Sequence, residues 1–166
     1  MNILLVVRSL LFLILIPGTV AGYIPFRILQ SSRQLVMPPV SVPAVLASGV
    51  ALLGVYVLFR CVWDFFAVGR GTLAPFDPPK RLVVRGLYRF TRNPMYNGVL
   101  ALLLGEAWLF RSTALFQYAI LVFIMFHLVV VIYEEPALES RFAESYRAYR
   151  VAVPRWGFIV RPFVAP

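Results

Sequence analysis

Four long apolar stretches make up most of this 166-residue chain, and they limit what it can fold into. They run over about 3–24, 42–66, 95–110 and 114–133. About 20 helical residues cover the roughly 30 Å of a bilayer's hydrocarbon core, so each stretch is long enough, or nearly so, to cross a membrane. The sequence therefore predicts an all-α, multi-pass transmembrane protein of about four spans, folded as a single domain over 1–166.

The composition supports the same class. Hydrophobic residues make up 61% of the chain and charged residues only 14%, whereas soluble domains are about 45–50% apolar. The single cysteine, Cys61, excludes an internal disulfide and has no cysteine or histidine partner nearby in sequence. We therefore expect no metal site.

The first stretch has two interpretations. Arg8, an apolar run and a small-residue segment ending at Ala21 resemble a signal peptide that is cleaved. However, apolar residues precede Arg8 as well as follow it, and the run continues to Phe26. We favour a retained span and leave the cleavage of residues 1–21 open.

The distribution of cations predicts the orientation. The central segment holds seven of them: Arg60, Arg70, Lys80, Arg81, Arg85, Arg89 and Arg92. Five more arginines follow Tyr133, whereas the opposite side has only Arg27, Arg33 and Arg111. Positive charge accumulates on the cytoplasmic side, so the central loop and the C-terminus are predicted to be cytoplasmic. The net charge of +9 then needs no nucleic-acid partner, because anionic lipid head groups account for it.

The third and fourth stretches form a predicted helical hairpin. Only Arg111, Ser112 and Thr113 interrupt the apolar run between them, a connection typical of antiparallel helices. The residues before Met95 and those after Tyr133 should therefore lie side by side at the cytoplasmic interface.

Two carboxylates and an arginine meet at this interface in the predicted hairpin. Glu134 and Glu135 end the fourth stretch, and Pro136 favours a break at this point followed by a new helix. Charges at this depth need partners, and Arg92, with Arg89 one turn away, is the expected one. Two interpretations remain open: a structural clamp that closes the hairpin, or a pocket for a ligand that carries both signs of charge.

A C-terminal interfacial amphipathic helix is predicted after Pro136. Leu138, Phe142, Tyr146, Tyr149 and Val153 recur at spacings of three and four residues, with charged residues elsewhere on the helix. Such a helix suits the membrane surface, with its aromatic face towards the lipid. It could also cover the mouth of the hairpin.

These motifs together resemble a known family. The segments "RNPMYNG" and "EEPALESRFAESYRAYRVAVPR", over about 69–155, are similar to the phospholipid methyltransferase and isoprenylcysteine carboxyl methyltransferase superfamily of integral membrane enzymes. The resemblance implies S-adenosylmethionine as cofactor and a lipid or prenylated, lipophilic acceptor. "NPMYNG" and "YEEP" are closer to the phospholipid version and "VPR" with its upstream tyrosines to the isoprenylcysteine version, so the acceptor stays open.

The resemblance also implies site residues. It places Asn93, Pro94, Tyr96, Glu134 and Glu135 at the methyl-donor site. Further cofactor-binding candidates are the glycines Gly69 and Gly71 of "GRGT" and Gly105 of the third stretch. Asn93 replaces a histidine common among the carboxyl methyltransferases, which puts a general base at that position in doubt. Ala143 replaces a frequent glycine, which we interpret as a packing variation.

The chemistry of the donor agrees with these residues. A glutamate can bind its ammonium or ribose, Arg92 can pair with its carboxylate, and tyrosines can stack on its adenine. Methyl transfer depends chiefly on alignment and requires no metal. We therefore predict that Arg92, Asn93 and Glu134 are catalytic.

The roles of two groups predicted to lie within the membrane remain open, and two other protein classes remain possible alternatives. Glu106 is either functional or reaches the outer interface near Arg111, and His127 is more simply a hydrogen-bonded buried histidine than a catalytic one. The alternatives to a methyltransferase are an NADPH-dependent, sterol-reductase-like membrane enzyme and a non-catalytic lipid-binding protein.

Overall fold

The computed structural model describes residues 15–68, 82 and 84–164, with only the backbone for 65–68. This part of the chain is helical and contains no strand. A π-helical turn (Thr19–Tyr23) leads into α1 (Ile24–Ser31), and α2 follows (Val42–Val68). A 3₁₀ turn (Gly86–Arg89) precedes α3 (Pro94–Leu109) and α4 (Thr113–Val129), and a second π-helical turn (Val130–Glu134) joins α4 to α5 (Glu135–Ala152). The all-helical prediction is confirmed for these residues.

Among the described residues, two helical runs are long and apolar enough to cross a membrane. They are Val42–Asp64 within α2 and the run Thr113–Ala152. The second run has 40 residues, about twice what one crossing needs. Its apolar part ends at Tyr133, and the charged remainder begins at Glu134, so a crossing by this run would end between them. The outer faces of α2 and α4 expose large apolar side chains such as Tyr56, Trp63 and Leu121, as expected for surfaces in contact with lipid.

The predicted second, third and fourth stretches correspond closely to α2, α3 and the run from α4 through the π turn. The first extends further than predicted, because α1 continues to Ser31 instead of ending near Ile24. The cleavage site considered after Ala21 falls within the first π turn, where Ala21 is buried against the core. Residues 1–14 of that stretch lie outside the described residues.

Glycines bring α2 and α3 into close contact. A Cβ added to Gly54 would lie 2.5 Å from the backbone nitrogen of Leu102, and one on Gly105 would lie 2.5 Å from the nitrogen of Ala51. Gly98 on α3 is also close to α2: a Cβ there would lie 3.1 Å from the carbonyl oxygen of Gly54. Small residues that let backbones approach are typical of helix pairs in membranes, where packing replaces the hydrophobic effect as the driving force.

The hairpin of α3 and α4 forms as predicted. The Ser112 side chain caps α4 by accepting a hydrogen bond from the backbone N–H of Leu115 at 3.3 Å. Leu103 from α3 packs with Val122 and Phe126 from α4 in the main core cluster. The short turn therefore returns the chain to the level at which α3 begins.

The aromatic face of α5 lies inside the protein, which corrects the predicted lipid contact. Tyr146, Tyr149 and Val153 are almost completely buried and pack with Val84 and Phe163. The helix is amphipathic as predicted, but its apolar face packs on the loop before α3 and on the chain after α5. Of the two roles considered for this helix, covering the hairpin is the one the burial supports.

Ala143 interrupts α5 for a reason of backbone conformation. Its φ of 43° and ψ of −115° lie where side chains are rarely tolerated. The glycine expected at this position from the family resemblance would adopt this conformation without strain. The packing explanation for Ala143 is therefore replaced by a conformational one.

The contact between α2 and α3 predicts a position-specific effect of a single methyl group. Gly54→Ala should destabilise the protein by about 1–3 kcal/mol, because its Cβ meets backbone atoms that have no room to move. Gly49→Ala is the matched control on the same helix, where an added Cβ meets nothing within 4 Å and alanine should be neutral or stabilising. Thermal unfolding in detergent measures both, and equal midpoints would contradict the close contact.

Candidate active site

A single carboxylate, Glu135, binds two arginines from distant parts of the chain. Arg92 donates from Nη1 to Glu135 Oε1 at 2.9 Å. Arg155 donates from Nε and Nη2 to the two carboxylate oxygens at 2.6 and 2.9 Å. The side chains of Arg92 and Glu135 are each only 10% exposed, so this is a largely desolvated ion cluster with a bidentate pair at its centre.

Three elements position this cluster. Arg92 lies just before α3, Glu135 begins α5 directly after the π turn, and Arg155 follows the end of α5. The backbone N–H of Arg92 donates to the carbonyl of Pro154 at 2.9 Å, and the amide of Asn93 donates to the carbonyl of Arg155 at 3.1 Å. The chain after α5 is thus fixed alongside the entry to α3.

The second carboxylate has a different partner. The hydroxyl of Tyr96 donates to Glu134 Oε1, and the Tyr96 ring packs on Phe126 with centroids 4.4 Å apart. Glu134 is therefore held by one tyrosine from the first turn of α3, with no arginine bound to it among the described residues. This leaves a carboxylate beside the ion cluster that is free of a cation.

Arg92 has an unused hydrogen-bond donor. Its Nη1 also donates to the Tyr146 hydroxyl at 3.2 Å, but its Nε is buried and bonds to no described residue. A buried donor without a partner is costly, on the order of 1–3 kcal/mol. Such a group marks a position where an external acceptor would be favourable.

A small cavity lies between these groups. It measures about 30 Å³ and is lined by Arg92, Asn93, Val130, Glu134, Glu135, Leu138, Tyr146 and Tyr149. This volume holds one or two waters, far less than the roughly 300–1,000 Å³ of a small-molecule site. The described residues thus form the polar end of a site. A larger ligand would fit only if the walls of this cavity moved apart or if residues outside the described ranges completed the site.

The two glutamates have pKa values shifted in opposite directions. Burial raises the pKa of Glu134; the Tyr96 hydrogen bond opposes this rise and the Glu135 charge adds to it. Burial alone would raise the pKa of Glu135 too, but hydrogen bonds from Arg155 and the charges of Arg92 and Arg155 bring it below its ordinary value. The hydrogen bond to Glu135 in turn raises the pKa of Arg155. Neighbouring titratable groups with opposite shifts are typical of acid–base sites.

The structure brings most of the predicted site residues together. Arg92, Asn93, Glu134 and Glu135 line the cavity, and Tyr96 reaches it through Glu134. Pro94 is buried in the first turn of α3, where it shapes the helix start. Gly105 packs against α2 about 16 Å further along the helix. Gly69 and Gly71 lie outside the described residues.

The structure shows which glutamate each partner binds: Arg92 binds Glu135, whereas Glu134 binds Tyr96. The break predicted between α4 and α5 is a π turn through which the chain stays helical. Arg89 binds neither glutamate; it donates to the carbonyl of Phe163 at 2.8 Å and so holds the C-terminal segment. The position of Arg89 three residues before Arg92 did not indicate that it would bind the carbonyl of Phe163.

Sequence reasoning missed the contribution of the chain after α5. Arg155 was visible as part of "VPR", but an arginine in a segment without periodicity resembles any other cation that the sequence predicts to be cytoplasmic. Tyr146 was assigned to a lipid-facing stripe, yet its hydroxyl bonds to Arg92 at 3.2 Å. The hydroxyl of Tyr149 likewise donates to the carbonyl of Tyr88 at 2.6 Å.

The two groups that were predicted to lie within the membrane, Glu106 and His127, have different surroundings. His127 Nδ1 accepts a hydrogen bond from Trp156 Nε1 at 3.1 Å, which agrees with the simpler of its two interpretations. Glu106 forms no ion pair with Arg111 in the described structure, and its Oε2 is buried without a partner there. In the same part of the chain, no group of three or more His, Cys, Asp or Glu side chains is placed to hold a metal ion.

These features define a helical membrane protein with a charged site at one end of a helix hairpin. Residues 42–145 match the family model described as "Phospholipid methyltransferase". The chain belongs to this family, which confirms the phospholipid methyltransferase side of the resemblance. No curated protein and no solved structure matches the chain significantly. The match covers Arg92 and both glutamates, whereas Arg155 and Trp156 lie beyond it.

The shared carboxylate predicts a large stability effect. Glu135→Gln should destabilise the protein by about 3 kcal/mol, because it leaves two arginines without their counter-charge in a largely buried cluster. Glu139→Gln is the control: that side chain also binds two arginines, Arg147 and Arg150, but is 31% exposed and should cost less than about 1 kcal/mol. If thermal unfolding showed that Glu135→Gln costs as little stability as Glu139→Gln, Glu135 would be an ordinary surface partner.

Proposed function

We propose that this protein is an S-adenosylmethionine-dependent methyltransferase that acts on a membrane lipid carrying an amine. The observation that supports this best is the buried, unpartnered Nε of Arg92 beside two carboxylates of opposite pKa shift. Membership of the phospholipid methyltransferase family makes methyl transfer the first activity to test.

The residues present fit the donor. S-adenosylmethionine supplies a methyl group on a cationic sulfur, together with an amino-acid end that carries a carboxylate and an ammonium. Arg92 Nε would hold the carboxylate, and Glu134, which has no cationic partner among the described residues, would hold a ribose hydroxyl. Tyr146 and Tyr149 provide aromatic rings at the same cavity. Glu135 is already saturated by Arg92 and Arg155 and would orient Arg92.

The charges of the site favour an amine acceptor over a carboxylate one. A carboxylate acceptor would meet Glu134 without a free cation to offset the repulsion. An amine must lose a proton before or during transfer, and burial makes Glu134 a stronger base than an exposed glutamate. Asn93 has no basic group, and its amide binds the Arg155 carbonyl, so we assign it to positioning.

The proposed topology has four spans within one domain of 1–166. The two long apolar runs and the hairpin of α3 with α4 provide three crossings, of which α3 is short at 16 residues. The first stretch would provide the fourth. The positive-inside rule then places the site and the C-terminus on the cytoplasmic side, where the donor is available.

The direct experiment is transfer of a labelled methyl group. Membranes containing the protein should convert methyl-labelled S-adenosylmethionine into a labelled amine-bearing lipid. Label in a prenylated carboxylate would reject the amine assignment but keep the methyltransferase. Absence of any labelled lipid, with no donor binding, would favour the lipid-binding protein; NADPH binding in place of donor binding would favour the reductase class.

The unpaired donor of Arg92 predicts a specific loss of donor affinity. Arg92→Gln should weaken S-adenosylmethionine binding about 30-fold, the effect of roughly 2 kcal/mol for a charged hydrogen bond. The fold should survive because Glu135 keeps both bonds to Arg155. Arg89→Gln is the control, three residues away and bound to the Phe163 carbonyl. Calorimetric titration measures both, and equal affinities for the two variants would contradict the role of Arg92.

The proposed base predicts a separate effect on turnover. Glu134→Gln should lower kcat by about 10²-fold or more for an amine acceptor, because glutamine keeps a hydrogen bond to Tyr96 but accepts no proton. Steady-state kinetics with saturating donor and lipid provide the test. A variant with near-normal kcat would show that the proton leaves by another route.

A further inference from the structure

An aromatic cluster lies on the membrane side of Glu134. Trp156 is its centre: its ring centroid is 5.3 Å from that of Phe123, 6.2 Å from His127 and 6.5 Å from Tyr96. Tyr96 is the residue that binds Glu134. One aromatic ring therefore separates Trp156 from the carboxylate of the site.

Trp156 is held in place from two directions. Its Nε1 donates to His127 Nδ1 at 3.1 Å, and the preceding residue, Arg155, is bound to Glu135 through both side-chain oxygens. The indole N–H is thus already used inside the protein. Only the apolar surface of the ring remains for another molecule.

The same cluster reaches the surface that faces lipid. Phe123 is 39% exposed on α4, and His127 follows it by four residues on the same side of the helix. From Phe123 to Glu134 the helix rises about 16 Å. A lipid that approaches from the bilayer along this side would contact Phe123 and Trp156 before its head group reached Glu134.

We propose that Trp156, oriented by His127, forms the wall of the acceptor site that contacts the apolar part of a lipid. This rests on the proposed methyltransferase function. Trp156 contacts the lipid's glycerol and acyl region and not its head group, because the indole N–H, its one polar group, is already bound to His127. Trp156 is a positioning residue of the acceptor side, and Arg155 connects it to the ion cluster of the donor side.

The kinetic experiment uses four variants of the full chain. Trp156→Ala and His127→Leu should each raise the KM for the lipid acceptor about tenfold, through lost apolar contact or a misplaced ring, while the donor Kd changes less than threefold. His127→Gln retains an acceptor for the indole N–H and should restore the wild-type KM. Trp108→Ala is the control, a tryptophan 48% exposed near the opposite end of the hairpin.

A purely structural role would give a different pattern. If Trp156 only supported the ion cluster, Trp156→Ala would weaken donor binding as strongly as acceptor binding, and the proposal would be wrong. An unchanged acceptor KM in both Trp156→Ala and His127→Leu would also overturn it.

A fluorescence measurement tests the placement without any turnover. The chain has three tryptophans, so Trp63→Phe with Trp108→Phe leaves Trp156 as the sole emitter. The protein is placed in phosphatidylcholine vesicles whose lipids carry a nitroxide on the upper part of the acyl chain. This lipid-borne nitroxide should quench Trp156 fluorescence severalfold more strongly than an aqueous quencher does. Adding His127→Leu should change the ratio of lipid-borne to aqueous quenching.

The two measurements separate the two claims. If the protein neither bound the donor nor transferred a methyl group, but Trp156 was strongly quenched from the lipid, the proposed function would be wrong and Trp156 would still form a wall accessible to lipid. Normal methyl transfer with no lipid-borne quenching would reject the wall and keep the function.

Discussion

The carboxylate of Glu135 holds the candidate site together. It joins the entry to α3, the start of α5 and the chain after α5 through Arg92 and Arg155. Each of these charges is expensive to remove from water unless the others are present, so the cluster forms as a unit. As a consequence, the side chains of Arg92, Asn93 and Tyr146 are held around one cavity.

The membrane part of the fold supports this arrangement from a distance. The glycines of α2 and α3 set a helix spacing that larger residues would prevent, and the short turn at Ser112 returns α4 antiparallel to α3. Together they determine which residues of α3 and α4 meet at the charged end. The site therefore depends on contacts deep in the apolar region as well as on its own ion pairs.

The sequence predicted the helices and the meeting of Arg92 with a glutamate because both follow from hydrophobic length and a short connection. It did not predict which glutamate, because the π turn at Val130–Glu134 changes the rotation per residue just before the pair. It also predicted that Tyr146 and Tyr149 face lipid, because apolar residues recur along a helix at the same spacing whether their face is buried in the protein or contacts lipid. Arg155 and Trp156 were beyond prediction because their segment has no repeat that indicates where it returns.

The central claim is that the space between Arg92 and Glu134 binds the methyl donor. The most direct test is an experimental structure of the protein with S-adenosylhomocysteine, the demethylated donor, in lipid nanodiscs. We expect the ligand's carboxylate within hydrogen-bond distance of Arg92 Nε, with Tyr146 and Glu134 also in contact with the ligand. A ligand bound elsewhere, with Arg92 unchanged in its bonds to Glu135 and Tyr146, would contradict it.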